Sequence, residues 1–177
     1  MPKQDKPTSA SSDALALLKA DHEKVLALFR EFDTLRGNDD DERKACLVDE
    51  ICYELTVHAM MEEEIFYPSL RAAIDDEDMI DEADVEHAGA RDLISQLEVM
   101  YPGDDHFDAT VTVLGEEVAH HIEKEETELF KAGIDLDDLG EQLLARKEEL
   151  EDDLNSPASS IDAIETHDTR RAPRPPN

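Results

Sequence analysis

Two short stretches carry a histidine and a glutamate at the same spacing. HAMMEEEIFYP places His58 four residues before Glu62, and HIEKEETELF places His121 four residues before Glu125. On a helix, residues four apart sit one turn above one another, within about 40° around the axis. Each pair therefore aims a nitrogen and an oxygen at one spot. Two further histidines, His22 and His87, interrupt apolar stripes in the same way. Imidazole combined with carboxylate is a donor set for iron, manganese or zinc, and two carboxylates can bridge two metals. Ionised glutamates buried without partners cost several kcal/mol each, an objection that bound cations remove.

The elements that must position these residues follow from periodicity. A first helix is expected from about Ser12, taken as its N-cap, to Leu35, with Leu15, Leu18, His22, Val25, Phe29 and Phe32 on one stripe. A second runs from about Asp40 to Leu70 with Val48, Ile51, Cys52, Leu55, His58, Ala59, Glu62, Ile65 and Phe66 inward, and Pro68 marks its last turn or a kink. A third, from about Glu77 to Tyr101, carries Ile80, Ala83, His87, Ala90, Ile94 and Leu97, and Pro102-Gly103 stops it. The fourth, from about Phe107 to Phe130, carries Val111, Leu114, Val118, His121, Glu125 and Leu129. A shorter amphipathic piece follows Gly133. No run alternates as a strand would.

Short connections between long helices favour antiparallel neighbours. The expected fold is all-α, an up-down-up-down four-helix bundle with a short C-terminal fifth helix. Counting from the turns, His58 and His87 lie about 12 residues before and about 11 after the second connection. His87 and His121 lie about 14 before and about 15 after the third, and His22 and His58 about 14 and about 18 from the first. All four histidines thus fall near one level of the bundle, with two inward glutamates beside them.

Composition narrows the rest. The chain has 177 residues and a formal net charge of −30, with 47 acidic against 17 basic side chains. Such a surface repels nucleic acid and anionic lipid, so neither is an expected partner. No stretch approaches the roughly 18 apolar residues of a membrane span, and the first residues have no apolar signal region. Cys46 and Cys52, six apart on one helix, are about 9 Å apart along its axis at 1.5 Å per residue, too far for a disulfide. Both are expected in or near the core, and a reducing cytoplasmic setting fits them. Residues 1–11 read as a flexible arm, 12–152 as the metal-binding domain, and 153–177, with His167, as a disordered tail.

These motifs, LLKADHEKV, HAMMEEEIFYP, EHAGARDLI and HHIEKEETELF, resemble the hemerythrin family and in particular the bacterial HHE cation-binding domains. The resemblance covers roughly residues 13 to 150. It implies a non-heme di-iron centre, oxo- or hydroxo-bridged, with manganese or zinc as substitutes. His22, His58, His87 and His121 would be terminal ligands, and Glu62 and Glu125 the bridges. The expected ligand is O2, peroxide or nitric oxide, with catalase-like peroxide decomposition or NO/O2 reactivity as open activities. Oxygen-carrying members have another histidine four residues after the third-helix ligand. Here that position is Arg91, expected to extend outward. This departure favours oxidant handling or sensing over reversible O2 carriage.

The alternative is an iron- or oxygen-sensing or iron-storage module without turnover. A ferritin-like carboxylate site built on Glu117-x-x-His120 and Asp84-x-x-His87 leaves His22, His58 and His121 unexplained. A zinc hydrolase lacks HExxH or cysteine spacing. His106 and His120 are expected at the surface, Glu63 and Glu126 in solvent, and Tyr67 in a packing role, with a hydrogen-bonding or redox-active role beside the site as its alternative. The chain is expected to be a monomer or weak homo-oligomer.

Overall fold

The computed structural model describes residues 13–74, 77–131 and 139–155. Among these, all regular structure is helical. Helix α1 spans Ala14–Thr34, α2 Asp41–Met61, α3 Tyr67–Ala73, α4 Asp78–Leu97, α5 Phe107–Thr127 and α6 Leu139–Asn155. The expected arm and all but the first residues of the expected tail, His167 included, lie outside the described residues. Asn155 closes α6, so the helix continues past the expected boundary at residue 152.

Local chemistry explains the ends. Asp13, rather than Ser12, caps α1: its carboxylate accepts from the amides of Leu15 at 3.0 Å and Ala16 at 3.4 Å. Asp40 caps α2 through the Arg43 amide at 3.1 Å. Gly37, with φ of 77°, turns the chain between them in a region that glycine enters at no steric cost. Helix α4 stops four residues short of the expected Tyr101. There the Tyr101 amide bonds Asp104 Oδ2 at 2.9 Å, and Tyr101 precedes Pro102, which disfavours helical geometry.

The second helix holds the main departure from simple periodicity. Between α2 and α3 the backbone forms one π-helical turn, Glu62–Phe66, in which the Tyr67 amide reaches back five residues to the Glu62 carbonyl. Pro68, with no N–H to offer, follows directly. The extra residue shifts the inward stripe by one position. Ile65, expected inward, is half-buried, while Phe66, expected inward as well, is buried together with Tyr67 and Leu70. Such turns recur at functional sites, and this one begins at Glu62.

In the bundle α1 packs on α2, α4 on α5, α1 on α5 and α2 on α4, with α6 laid across α1, α2 and the π turn. The apolar core is divided in two. One cluster holds Val25, Phe32, Ile51, Leu97, Leu114 and Val118, and the other Leu18, Met61, Phe66, Leu70, Ile80 and Leu143. Leu114 is fully buried, and truncating such a side chain to alanine costs about 2–5 kcal/mol. The inward histidines and glutamates lie between the two clusters. Cys52 packs against the first, but Cys46 is exposed, contrary to expectation, because it falls off the α2 stripe.

Candidate metal centre

All six expected site residues meet in this intervening layer. His22, His58, His87 and His121 are 2, 6, 5 and 8% exposed, and Glu62 and Glu125 are 0 and 1% exposed. His22 Nε2 lies 3.1 Å from His58 Nε2 and 3.2 Å from Glu125 Oε2. His87 Nε2 lies 3.2 Å from His121 Nε2 and 3.3 Å from Glu62 Oε2. The other Glu62 oxygen is 3.1 Å from His58 Nε2. Glu62 thus stands between the two histidine pairs. Glu125 also reaches both, with Oε2 4.0 Å from His121 Nε2.

What lies behind the imidazoles decides how these atoms interact. His22 Nδ1 faces Glu126 at 2.9 Å, His87 Nδ1 faces Glu63 at 2.9 Å, and His121 Nδ1 faces Glu86 at 2.8 Å. Asp21 stands 3.8 Å from His58 Nδ1. At His22, His87 and His121 the carboxylate accepts and cannot donate, so it keeps the imidazole proton on Nδ1, whereas Asp21 faces His58 Nδ1 beyond hydrogen-bond distance. The Nε2 atoms are then bare lone pairs, opposed in twos and flanked by carboxylate oxygens. Glu62 Oε1 and both Glu125 oxygens have no hydrogen-bond partner among the described residues. Bound metal ions would relieve that arrangement. Donors 3.1–3.3 Å apart also match neighbouring corners of a shell with metal–donor bonds of about 2.0–2.2 Å.

With protons alone, the layer polarises strongly. Burial opposes charge on His58, but Glu62, Asp21 and Glu125 outweigh it and lift its pKa to about 10. Burial likewise opposes ionisation of Glu62, yet His58 and His87 hold it well below the usual carboxylate range. Burial and the neighbouring Glu62 charge push Glu125 up to about 7. A proton on His58 takes the place a metal would fill.

The outer carboxylates correct the expectation that Glu63 and Glu126 are simply solvated. Each is about one-third exposed yet bonded to a site histidine. Asp21 and Glu86 were not expected at all. The signal for all four is adjacency, since each directly precedes or follows one of the six inward residues in sequence. Three are held by cations: Asp21 by Lys147 of α6, Glu63 by Arg91, and Glu86 by Lys124 at 3.5 Å. Arg91 therefore does extend outward, to Glu63.

Tyr67 does more than pack. Buried at 2% exposure, it donates from Oη to Glu62 Oε2 at 3.2 Å, and the same oxygen lies 3.4 Å from His87 Nε2. Phe130 closes this end of the site by stacking on His22, with ring centres 5.8 Å apart. His106 and His120 are exposed, as are Glu117 and Asp84, so the ferritin-like scheme has no buried site to occupy.

Comparison with known proteins agrees with this geometry. The sequence profile of the hemerythrin HHE cation binding domain matches residues 13–132. The chain belongs to that family. Its fold is shared by an HHE cation binding domain-containing protein from Mycobacterium kansasii, 25% identical, with a TM-score of 0.69 over 90% of this chain and 94% of that one. A DNA nickase from Nostoc sp. (strain PCC 7120) is 31% identical over 116 residues, 66% of this chain. The HHE chain spans 32% of the length of that curated relative. Metal binding is the property that the family and the buried cluster share. No helix among the described residues is long and apolar enough to cross a membrane.

Proposed function

We propose that His22, His58, His87, His121, Glu62 and Glu125 hold two iron ions, and that this centre binds or reacts with O2, peroxide or nitric oxide. The observation that carries the proposal is the pair of opposed Nε2 contacts, 3.1 and 3.2 Å, set around two buried carboxylates. The donors fall into two overlapping groups, His22–His58–Glu62–Glu125 and Glu62–His87–His121. Glu62 belongs to both, which supports a bridging role. Iron bound there supplies a redox centre and a Lewis acid.

The chain's own groups prepare that chemistry. Glu63, Glu86 and Glu126 orient three of the imidazoles and hold protons away from the site, and Asp21 places a negative charge behind the fourth. The two apolar clusters exclude bulk water, which strengthens every charge interaction inside. Tyr67 holds a proton next to Glu62 and beside the His87 ring. DNA-directed activity, named for the Nostoc relative, is not extended to this chain, because an acidic surface of net charge −30 opposes a polyanion.

The test is metal content per chain after expression in iron-replete medium, with an optical spectrum of the same sample. Two irons, one for each donor group, with ligand-to-iron charge-transfer bands are expected, and peroxide or O2 addition should then change the spectrum. One metal, zinc alone, or none at full helicity overturns the di-iron reading. An unreactive di-iron site whose removal changes helicity leads to the sensing or storage alternative.

A further inference from the structure

A cavity of about 270 Å3 lies beside the four imidazoles. All four long helices wall it: Val25 from α1, Leu55 and Ala59 from α2, Ala90 and Ile94 from α4, and Val118 from α5. The four site histidines also line it, whereas Glu62 and Glu125 do not. The space therefore extends from the imidazoles toward the first apolar cluster, to which Val25, Leu55, Ile94 and Val118 belong.

Size and polarity select the ligand. A diatomic molecule needs about as much room as a water, whose share of liquid volume is about 30 Å3. A cavity of about 150 Å3 accommodates benzene, so this one in proportion takes roughly ten non-hydrogen atoms. Away from the histidines its helix-facing walls are mainly apolar, and Glu63, Glu86 and Thr56 at its margin are already hydrogen-bonded within the protein. The charged residues that line it are Asp21, Glu63, Glu86 and Glu117 against Arg91, and Arg91 is already engaged by Glu63. An anion is disfavoured beside so many carboxylates.

We infer that this cavity binds a neutral, apolar organic molecule of roughly ten non-hydrogen atoms, with one terminal oxygen directed at the histidines. Aryl and alkyl hydroperoxides and their alcohols form that class. The inference rests on the functional reading above for what stands at the histidine end, and it deepens that reading by naming a substrate class larger than a diatomic gas.

The test uses the full-length, metal-loaded protein and 2-phenylpropan-2-ol, an unreactive alcohol of this class, titrated by calorimetry with octanoate as an anionic control. Saturable binding of one alcohol per chain is expected, with octanoate at least tenfold weaker. Ala90→Leu, which fills the cavity from the half-buried inner face of α4, should weaken alcohol binding at least tenfold with helicity and metal content retained. Val118→Leu provides a second, gentler filling should Ala90→Leu fail to fold. Absence of saturable binding, equal binding of octanoate, or unchanged binding in a folded filled variant overturns the inference. Metal analysis of the same samples separates the two readings. Full metal without alcohol binding rejects the cavity ligand alone, and alcohol binding without metal uptake rejects the di-iron proposal alone.

Discussion

At the scale of single residues, the centre depends on where protons are kept. Imidazoles can present lone pairs to one small volume only if something holds their protons on the far side, and here Glu126, Glu63 and Glu86 do so for His22, His87 and His121, with Asp21 3.8 Å behind His58. Glu86→Gln keeps the size of that group and removes its charge behind His121. Metal affinity is expected to fall about 10–100-fold, measured by competition with a chelator, with the helical spectrum unchanged. Unaltered affinity would mean that Glu86 does not orient His121. His58→Ala and Glu62→Ala act directly on the donors. Each should lower metal content and thermal stability together, and full iron loading in both variants would sink the ligand assignment.

At the scale of elements, α6 is tied to the centre as well as to the core. Leu139, Leu143 and Leu150 bury its apolar face in the second cluster. Lys147 meets Asp21, and Arg146 meets Glu64 on the π turn at 2.6 Å. Asp21 is 7% exposed and faces His58, so Lys147 neutralises a carboxylate that otherwise stands in low dielectric. Burial raises the Asp21 pKa, but His58 and Lys147 together hold it below its usual value. Lys147→Met should cost about 1–3 kcal/mol in urea unfolding of the metal-free protein. A loss no larger than for an exposed lysine of α1, such as Lys19→Met, would remove α6 from the support of the site.

At the scale of the whole molecule, the centre sets how stability follows pH. In the metal-free protein Glu125 is raised to about 7 from 4.5, and His58 to about 10 from 6.5. Both folded values exceed the unfolded ones, so the folded state binds more protons in these windows. The Glu125 contribution is complete below 4.5 and lost as pH rises through about 7. That of His58 is complete below 6.5 and lost through about 10. Glu62, held below 4.5, acts in the opposite sense only in acid. Metal needs unprotonated donors, so loading is favoured as pH rises. The difference in Tm between loaded and metal-free protein should therefore widen from about pH 5 to about pH 9 in scanning calorimetry. A constant or narrowing difference would contradict these assignments.

The four-helix pattern and the inward His–Glu pairs were legible in the chain itself. Apolar residues at three-and-four spacing place whatever interrupts them on the same face, and His22, His58, His87 and His121 each interrupt one stripe. Sequence also located the turns, since Gly37 and Pro102-Gly103 break helices by backbone chemistry alone. It did not reveal the π turn, because Glu62–Phe66 is ordinary in composition and only the inward placement of both Glu62 and Tyr67 shows the inserted residue. Nor did it separate Glu63, Glu86 and Glu126 from the other acidic side chains of a chain with 47. A carboxylate beside a site histidine looks solvated until its neighbour across the bundle is known. Packing alone decided that these groups face imidazole nitrogens, that Lys147 reaches Asp21 from α6, and that a cavity remains beside the histidines, because each joins residues far apart in the chain through a distance only the assembled bundle sets.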